Sequence, residues 1–176
     1  MSARSPYELS RQPALRETLS PKAASDDSPG VIAPPPLLYG GAFLVGSLLH
    51  SFFPKPILAP NVAPGIGLAV LCTGAALAAW SRRTLERAGT NVNPSLPATT
   101  LVITGPFRFS RNPMYVARTL LYLGLGLLTN ALCVFAALLP LLVVMHHGVI
   151  KREERYLEAR FGDAYRQYRA GVRRWI

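Results

Sequence analysis

The sequence predicts an all-α integral membrane protein with about four transmembrane helices, the last two forming a helical hairpin, and an amphipathic cytoplasmic helix at the C-terminus. Of the 176 residues, 50% are hydrophobic and 16% are charged, whereas about 25% are charged in a typical soluble domain. The net charge of +10 is concentrated in stretches that flank apolar runs. Nucleic-acid-binding proteins are also basic, but this placement favours a membrane surface, and no nucleic-acid partner is expected.

The N-terminal stretch 1–30 is expected to form a disordered cytoplasmic tail. It is rich in Ser, Pro and Ala and carries charges throughout. It also lacks the apolar region that a signal peptide needs. The remainder, 31–176, is predicted to form one membrane domain.

Two apolar segments predict the first two spans. Residues 37–53 follow a run of three prolines and carry no formal charge, so the helix is expected to begin at or just after those prolines. Residues 62–81 are rich in Gly and Ala, which suits close packing between helices in lipid. Trp80 stands at the end of this segment, and Arg82 and Arg83 follow it, as is typical of a membrane–water interface.

The polar stretch 84–112 is predicted to be a re-entrant or surface loop. It is rich in Gly, Asn and Pro and contains one short β-like or extended piece, 99–103. This composition disfavours both a span and a long helix. Long ordered loops of this kind are usually functional.

Residues 113–150 predict the helical hairpin. The stretch is long enough for two spans of minimal length, 113–128 and 131–150, and "TNA" at 129–131 supplies the break between them. Arg118 is the single formal charge within the hairpin.

The C-terminal stretch 151–170 is highly charged, and its apolar residues recur at helical spacing. It predicts an amphipathic surface helix with a break at Gly162. Seventeen of the nineteen Lys and Arg residues lie in the tail, at 82–111 and from residue 151 onwards. The positive-inside rule therefore places both termini in the cytoplasm and the protein, with several spans, in the cell membrane.

The stretch "TGPFRFSRNPMY" (104–115) enters the third span from the cytoplasmic side, where it is expected to face the helix 151–170. Together they offer arginines, two carboxylates, an amide and aromatic rings. An intramembrane charge such as Arg118 normally faces a cavity or a partner. Two roles are open for Arg118: it neutralises a phosphate or carboxylate of a substrate, or it extends to the cytoplasmic interface.

Two separated motifs resemble one known superfamily. "TTLVITGPFRFSRNPMY" (99–115) and "EERYLEARFGDAYRQY" (153–168), with a hydrophobic hairpin between them, are similar to the isoprenylcysteine carboxyl methyltransferases and phospholipid methyltransferases. These are integral membrane enzymes that use S-adenosylmethionine. The resemblance covers about half of the chain, roughly from residue 88 onwards.

The resemblance implies roles for individual residues. The cofactor would be wrapped by the segment before the GP turn and by the RNPMY element, and its charged amino-acid end would be held by the first glutamate of the EE pair. The residues are Thr99, Thr100, Leu101, Val102, Phe107, Asn112, Pro113, Met114, Tyr115 and Glu153. From the chemistry of the residues themselves, the expected catalytic residues are Arg111, Asn112, Arg118 and Glu154. Glu153 or Glu154 can pair with the ammonium of the cofactor, and Arg111 or backbone N–H groups can bind its carboxylate.

Two positions depart from the family pattern. Asn112 replaces a histidine that is more usual in the eukaryotic enzymes. Val149 stands where those carboxyl methyltransferases have an arginine tied to the substrate carboxylate. The second departure weighs against a prenylcysteine carboxylate as the acceptor.

The predicted function is S-adenosylmethionine-dependent methyl transfer to a membrane-associated or lipophilic acceptor, by carboxylate O-methylation or lipid amine N-methylation. No G-x-G-x-x-G motif after a strand occurs, and no Cys/His spacing predicts a metal site. Two alternatives stay open. One is an NADPH-dependent membrane reductase of the sterol-reductase type, although those chains have more spans. The other is a non-catalytic membrane scaffold, for which no cofactor affinity is expected.

Overall fold

Helices and irregular turns account for all the residues that the computed structural model describes, which are 29–93 and 96–175, and no strand occurs among them. This confirms the predicted all-α class. The helices are α1 (Pro35–Phe52), α2 (Ala63–Arg87), α3 (Pro113–Leu128), α4 (Leu132–Met145), α5 (Lys151–Phe161) and α6 (Asp163–Gly171). A 3₁₀ turn covers Gly105–Arg108, and a π-helical turn, His146–Ile150, joins α4 to α5. Nearly all of the predicted tail lies outside the described residues.

Two helices of the described chain are long and apolar enough to cross a membrane. They are α2 and the continuous helix Leu132–Phe161, which is formed by α4, the π-helical turn and α5. The apolar helix α3 has 16 residues, and α1 has 18. The four-span arrangement, the position of the C-terminal helix and the side on which each terminus lies therefore stay predictions.

Two local expectations differ from the structure. The second span is predicted to end at residue 81, but α2 continues to Arg87. Hydropathy marks the end of the apolar stretch, whereas the helix continues for as long as its backbone hydrogen bonds do. An ion pair of 2.7 Å between Arg82 and Glu86, one turn apart, supports this polar end. The extended piece 99–103 forms no strand, because no other extended segment of the described chain pairs with it.

Glycines allow the helices to approach closely. A Cβ built on Gly74 of α2 would lie 2.9 Å from the backbone nitrogen of Leu121 in α3, and one on Gly124 would lie 2.7 Å from that of Leu71 in α2. In the same way, Gly46 of α1 meets the backbone of α4 at Val134. The predicted hairpin helices α3 and α4 are joined by a short turn, but their closest partners are α2 and α1 respectively.

Buried tyrosines connect α1, α3 and α4. The Tyr122 hydroxyl donates to the backbone oxygen of Val134 (2.8 Å), and the hydroxyls of Tyr39 and Thr119 are 2.8 Å apart. The rings of Tyr39 and Tyr122 meet edge to face, with centroids 6.1 Å apart. These bonds satisfy polar groups that would be costly to leave unpaired in an apolar interior. They fix the middle of α3 relative to α1 and α4.

Candidate active site

A cavity opens where the end of α2, the following loop, the start of α3 and the helices α5 and α6 meet. All of the residues predicted as catalytic line it. So do the residues predicted to bind the cofactor, apart from one: Thr100, Leu101, Val102, Phe107, Asn112, Pro113, Met114, Tyr115 and Glu153. The exception is Thr99, which is exposed and does not line the cavity.

Thr99 instead fastens the loop beside the end of α2. Its backbone N–H donates to Oγ1 of Thr90 (3.1 Å), and its hydroxyl donates to the backbone oxygen of Gly89 (2.8 Å). The next backbone N–H towards the N-terminus, that of Ala98, donates to the hydroxyl of Tyr156 on α5 (3.1 Å). The geometry therefore favours a structural part for Thr99, in place of the cofactor contact that the resemblance implies.

The GPF turn is held between α2 and α6. Gly105 has φ 59°, a conformation that glycine adopts without strain. A Cβ at this position would also lie 2.9 Å from Oγ1 of Thr84 on α2. On the other side, the Tyr168 hydroxyl of α6 donates to the backbone oxygen of Phe107 (2.6 Å). These contacts place the Phe107 ring on the cavity wall.

Asn112 ties the start of α3 to the C-terminal end of the described chain. It is buried at the N-cap position of α3, but its side chain makes no capping bond. Its Nδ2 instead donates to the backbone oxygen of Arg174 (3.1 Å), which also accepts from Oγ of Ser110 (3.2 Å). The backbone N–H of Arg111 donates to the oxygen of Arg173 (2.9 Å). The segment after α6 thus holds the cavity residues Arg111 and Asn112 in place.

Glu154 is held by two arginines. Nε and Nη2 of Arg174 donate to its two carboxylate oxygens at 2.9 and 2.7 Å. Nη2 of Arg111 lies 3.3 Å from Oε1. The side chains of Arg111 and Glu154 are 9% and 10% exposed, so this charge pair is buried. A carboxylate engaged in this way is poorly placed to take up a proton, and the geometry favours a positioning part for Glu154 over the predicted catalytic one.

Arg111 lines the cavity beside Tyr165. Its Nε and Nη1 are buried and have no hydrogen-bond partner among the described residues. Buried N–H groups of a cation are rarely left without an acceptor. Two donors of a planar guanidinium match the two oxygens of a carboxylate.

Glu153 lies beside α3 and accepts a hydrogen bond from Tyr115. The Tyr115 hydroxyl is 2.7 Å from Oε2 of Glu153, and the tyrosine itself is only 4% exposed. The Arg118 guanidinium carbon lies 5.4 Å from the centre of the Tyr115 ring. Burial raises the pKa of Glu153, and the Tyr115 hydrogen bond and the Arg118 charge oppose this shift. A carboxylate oriented by a rigid aromatic donor suits the binding of a cationic group.

The tyrosines of α6 stay protonated at any working pH. Burial and the nearby Glu154 charge raise the pKa of Tyr165 to about 12, although the neighbouring Arg111 charge opposes the shift. Burial also raises the pKa of Tyr168, which keeps that hydroxyl a donor to the loop. The hydrogen bond to Glu154 raises the pKa of Arg174, so the arginine remains a cation.

Three residues contribute to the site without having been predicted to do so: Tyr156, Tyr168 and Arg174. Tyr156 and Tyr168 have apolar neighbours at helical spacing, so packing or interfacial anchoring is the natural prediction for them. Arg174 lies in a basic C-terminal stretch, where a solvent-exposed charge is expected. The signal that points to these residues is their place within or just after the second motif. Among residues 29–93 and 96–175, no group of three or more His, Cys, Asp or Glu side chains could hold a metal ion.

Comparison with known proteins identifies the family. The family described as phospholipid methyltransferase matches residues 62–164, more than half of the chain. The cobalt-zinc-cadmium resistance protein CzcN of Cupriavidus metallidurans is 42% identical over 64 residues, 36% of this chain and 30% of that protein. The nickel-cobalt-cadmium resistance protein NccN of Alcaligenes xylosoxydans xylosoxydans is 34% identical over 66 residues, 38% of this chain and 31% of that protein.

An uncharacterized protein of Haemophilus influenzae is 36% identical over 63 residues, which is 36% of this chain and the whole of that protein. No solved structure gives a significant match. The two resistance proteins are matched over less than a third of their own length. The family match, by contrast, takes in α2, the loop, α3 and both glutamates of the cavity. On this extent of similarity, the chain belongs to the phospholipid methyltransferase family.

Proposed function

We propose that this chain transfers the methyl group of S-adenosylmethionine to a membrane-associated or lipophilic acceptor, by O-methylation of a carboxylate or N-methylation of a lipid amine. One observation carries the proposal. Glu153, whose carboxylate is oriented by Tyr115, and Arg111, two of whose N–H groups have no partner among the described residues, both line the same cavity. Membership of a family of lipid-type methyltransferases supports the same chemistry.

The cavity residues fit the charged end of the cofactor. That end is an amino acid with one ammonium and one carboxylate group. Glu153 would bind the ammonium, and the free donors of Arg111 would bind the carboxylate. Phe107 offers an aromatic face to the adenine or to the sulfonium, by stacking or by a cation–π contact.

The cofactor supplies a methyl group on a positively charged sulfur, and transfer is an in-line displacement by the acceptor. The protein's part is to align donor and acceptor and to exclude water. In this proposal Asn112 and Arg118 orient the acceptor, and Glu154 keeps Arg111 in place. A carboxylate acceptor needs no proton removal, whereas an ammonium acceptor must first lose a proton.

We further propose that α1 to α4 cross the membrane, with both termini and the cavity on the cytoplasmic side. The apolar surface of these helices supports this arrangement, because many large hydrophobic side chains of α1 and α2 are exposed. A lipophilic acceptor would then reach the cavity from within the bilayer. An apolar groove on another face of α3 offers room for a lipid chain, and it is lined by Val116, Thr119, Leu120, Leu142, Val143, His146, His147 and Trp175.

Equilibrium binding of labelled S-adenosylmethionine to the detergent-purified full chain tests the proposal. Glu153→Gln removes the charge that binds the ammonium, so saturable binding to the wild type is expected to fall by at least tenfold in this variant. Glu158→Gln makes the same chemical change one helical turn away and outside the cavity, and it should bind like the wild type. A well-folded wild type that binds no cofactor in detergent or in lipid nanodiscs would refute the proposal. NADPH is then the next ligand to test.

If the cofactor binds, a methylation screen against lipid extracts identifies the acceptor. Radiolabelled methyl groups should appear in an organic-soluble product with the wild type and be absent with Glu153→Gln. A base-labile product would indicate a methyl ester, and a base-stable product would indicate an N-methylated lipid.

A further inference from the structure

The two arginines of the cavity have different surroundings. Arg111 is held by the buried carboxylate of Glu154. Arg118 lines the same cavity, but within the described chain it makes no hydrogen bond and no ion pair. Its guanidinium lies over the ring of Tyr115. A guanidinium has five N–H donors, so those of Arg118 are left to solvent or to a ligand.

Arg118 also lies in an apolar helix, where an unpaired charge costs free energy. It lies in α3, whose other residues carry no formal charge, and charged side chains on apolar helices normally face a cavity and meet a partner. Its contact with the Tyr115 ring and its place in the lining of the cavity put the guanidinium on the cavity side of the helix. This placement disfavours a side chain that extends away to the interface.

When the other charged groups of the cavity are paired, Arg118 remains unpaired. Glu154 is neutralised by Arg111 and Arg174. In the proposed function, Glu153 takes the ammonium of the cofactor and Arg111 takes its carboxylate. Arg118 lies five residues beyond the first residue of α3, about 7.5 Å further along the helix at ~1.5 Å per residue. It is therefore placed on the side from which a lipophilic acceptor would approach.

We infer that Arg118 binds an anionic group of the methyl acceptor, a phosphate or a carboxylate, and so selects acidic or phosphate-bearing amphiphiles over neutral and cationic ones. This inference rests on the proposed function.

Thermal unfolding of the detergent-purified full chain tests the inference. The probes share one alkyl chain and differ in their head group: dodecyl phosphate, dodecanoate, dodecanol and dodecyltrimethylammonium, with inorganic phosphate as a fifth. One or both of the anionic amphiphiles should raise the Tm of the wild type, at concentrations where dodecanol and the cationic amphiphile do not. Comparing the two anionic probes tells a phosphate site from a carboxylate site. A response to inorganic phosphate alone would overturn the assignment to the acceptor.

Three variants make the test specific. Arg118→Gln should weaken apparent binding of the anionic amphiphile by about tenfold or more, because the charge-assisted hydrogen bonds are lost. Arg118→Lys keeps the charge and should retain part of the affinity. Arg87→Gln removes an exposed charge at the end of α2, outside the cavity, and should behave like the wild type.

Cofactor binding separates this inference from the proposed function. Arg118→Gln should bind labelled S-adenosylmethionine within about twofold of the wild-type affinity. If the variant loses the cofactor instead, Arg118 belongs to the cofactor site and the inference is wrong. It is also wrong if Arg118→Gln responds to the anionic amphiphiles like the wild type. A wild type that binds no cofactor would refute the proposed function itself.

Discussion

Glu154→Gln is expected to destabilise the protein far more than the same change at Glu158. Glu154 is buried and is the ionic partner of Arg174 and of Arg111, whose side chain is 9% exposed. Breaking a buried pair by removing one partner costs about 3–5 kcal/mol. Because Arg174 is 30% exposed and can regain water, we expect roughly the lower end, ~3 kcal/mol. A chain of this size loses about 2–4 °C in Tm per kcal/mol, which predicts a fall of roughly 6–12 °C.

The control lies on the same helix. Glu158 pairs with Arg169 at 2.9 Å and with Arg166 at 3.9 Å, and its side chain is 33% exposed. Exposed pairs contribute about 0–1 kcal/mol, so Glu158→Gln should change the Tm by less than about 4 °C. Thermal unfolding of both variants in one detergent, without cofactor, gives the comparison. Equal shifts for the two variants would refute the argument that the buried triad stabilises the fold.

Three further changes test other parts of the structure. Tyr115→Phe removes the 2.7 Å hydrogen bond to Glu153. Because hydrogen bonds to charged groups contribute about 1.5–3 kcal/mol, cofactor affinity measured by equilibrium binding should fall by about tenfold. An unchanged affinity would show that the bond does not orient the carboxylate. Gly74→Ala places a Cβ 2.9 Å from a backbone nitrogen of α3, whereas Gly65→Ala on the same helix meets nothing within 4 Å. The first should cost about 1–3 kcal/mol of stability by overpacking and the second should be neutral, so equal Tm values would contradict the close α2–α3 contact. Green fluorescent protein fused to either terminus should fluoresce, and alkaline phosphatase inserted beside Lys55 should be active; the reverse pattern would overturn the proposed topology.

Much of the architecture is visible in local sequence. The bounds of α3 follow from Pro113, which suits the first turn of a helix, and from the polar residues Thr129 and Asn130 that end the apolar run. The break at Gly162 is another such case, because the residue adopts φ 55° between α5 and α6. These helix ends depend on a single residue and its nearest neighbours, so they can be predicted from the sequence alone.

The contacts that build the cavity are visible only in part. Asn112 is predicted to be a catalytic and cofactor-binding residue, but its amide is bonded to a backbone oxygen of Arg174, 62 residues away. Because the acceptor is a backbone oxygen, which every residue has, this bond cannot be predicted from the residue types. The same holds for Thr99, whose partners are a hydroxyl and a backbone oxygen near the end of α2.

The adjacent residues Glu153 and Glu154 have the same side chain but different partners in the structure. Neighbours on an α-helix point about 100° apart, so Glu153 meets Tyr115 of α3 while Glu154 meets Arg174. Opposite outcomes should follow from the same substitution. Glu153→Gln should lose cofactor affinity and keep its Tm close to that of the wild type. Glu154→Gln should lose thermal stability first and, at a temperature where it stays folded, bind cofactor less tightly only to the extent that Arg111 is displaced. If both variants lost binding with unchanged Tm, both carboxylates would have to contact the ligand, and the structural part assigned to Glu154 would be wrong.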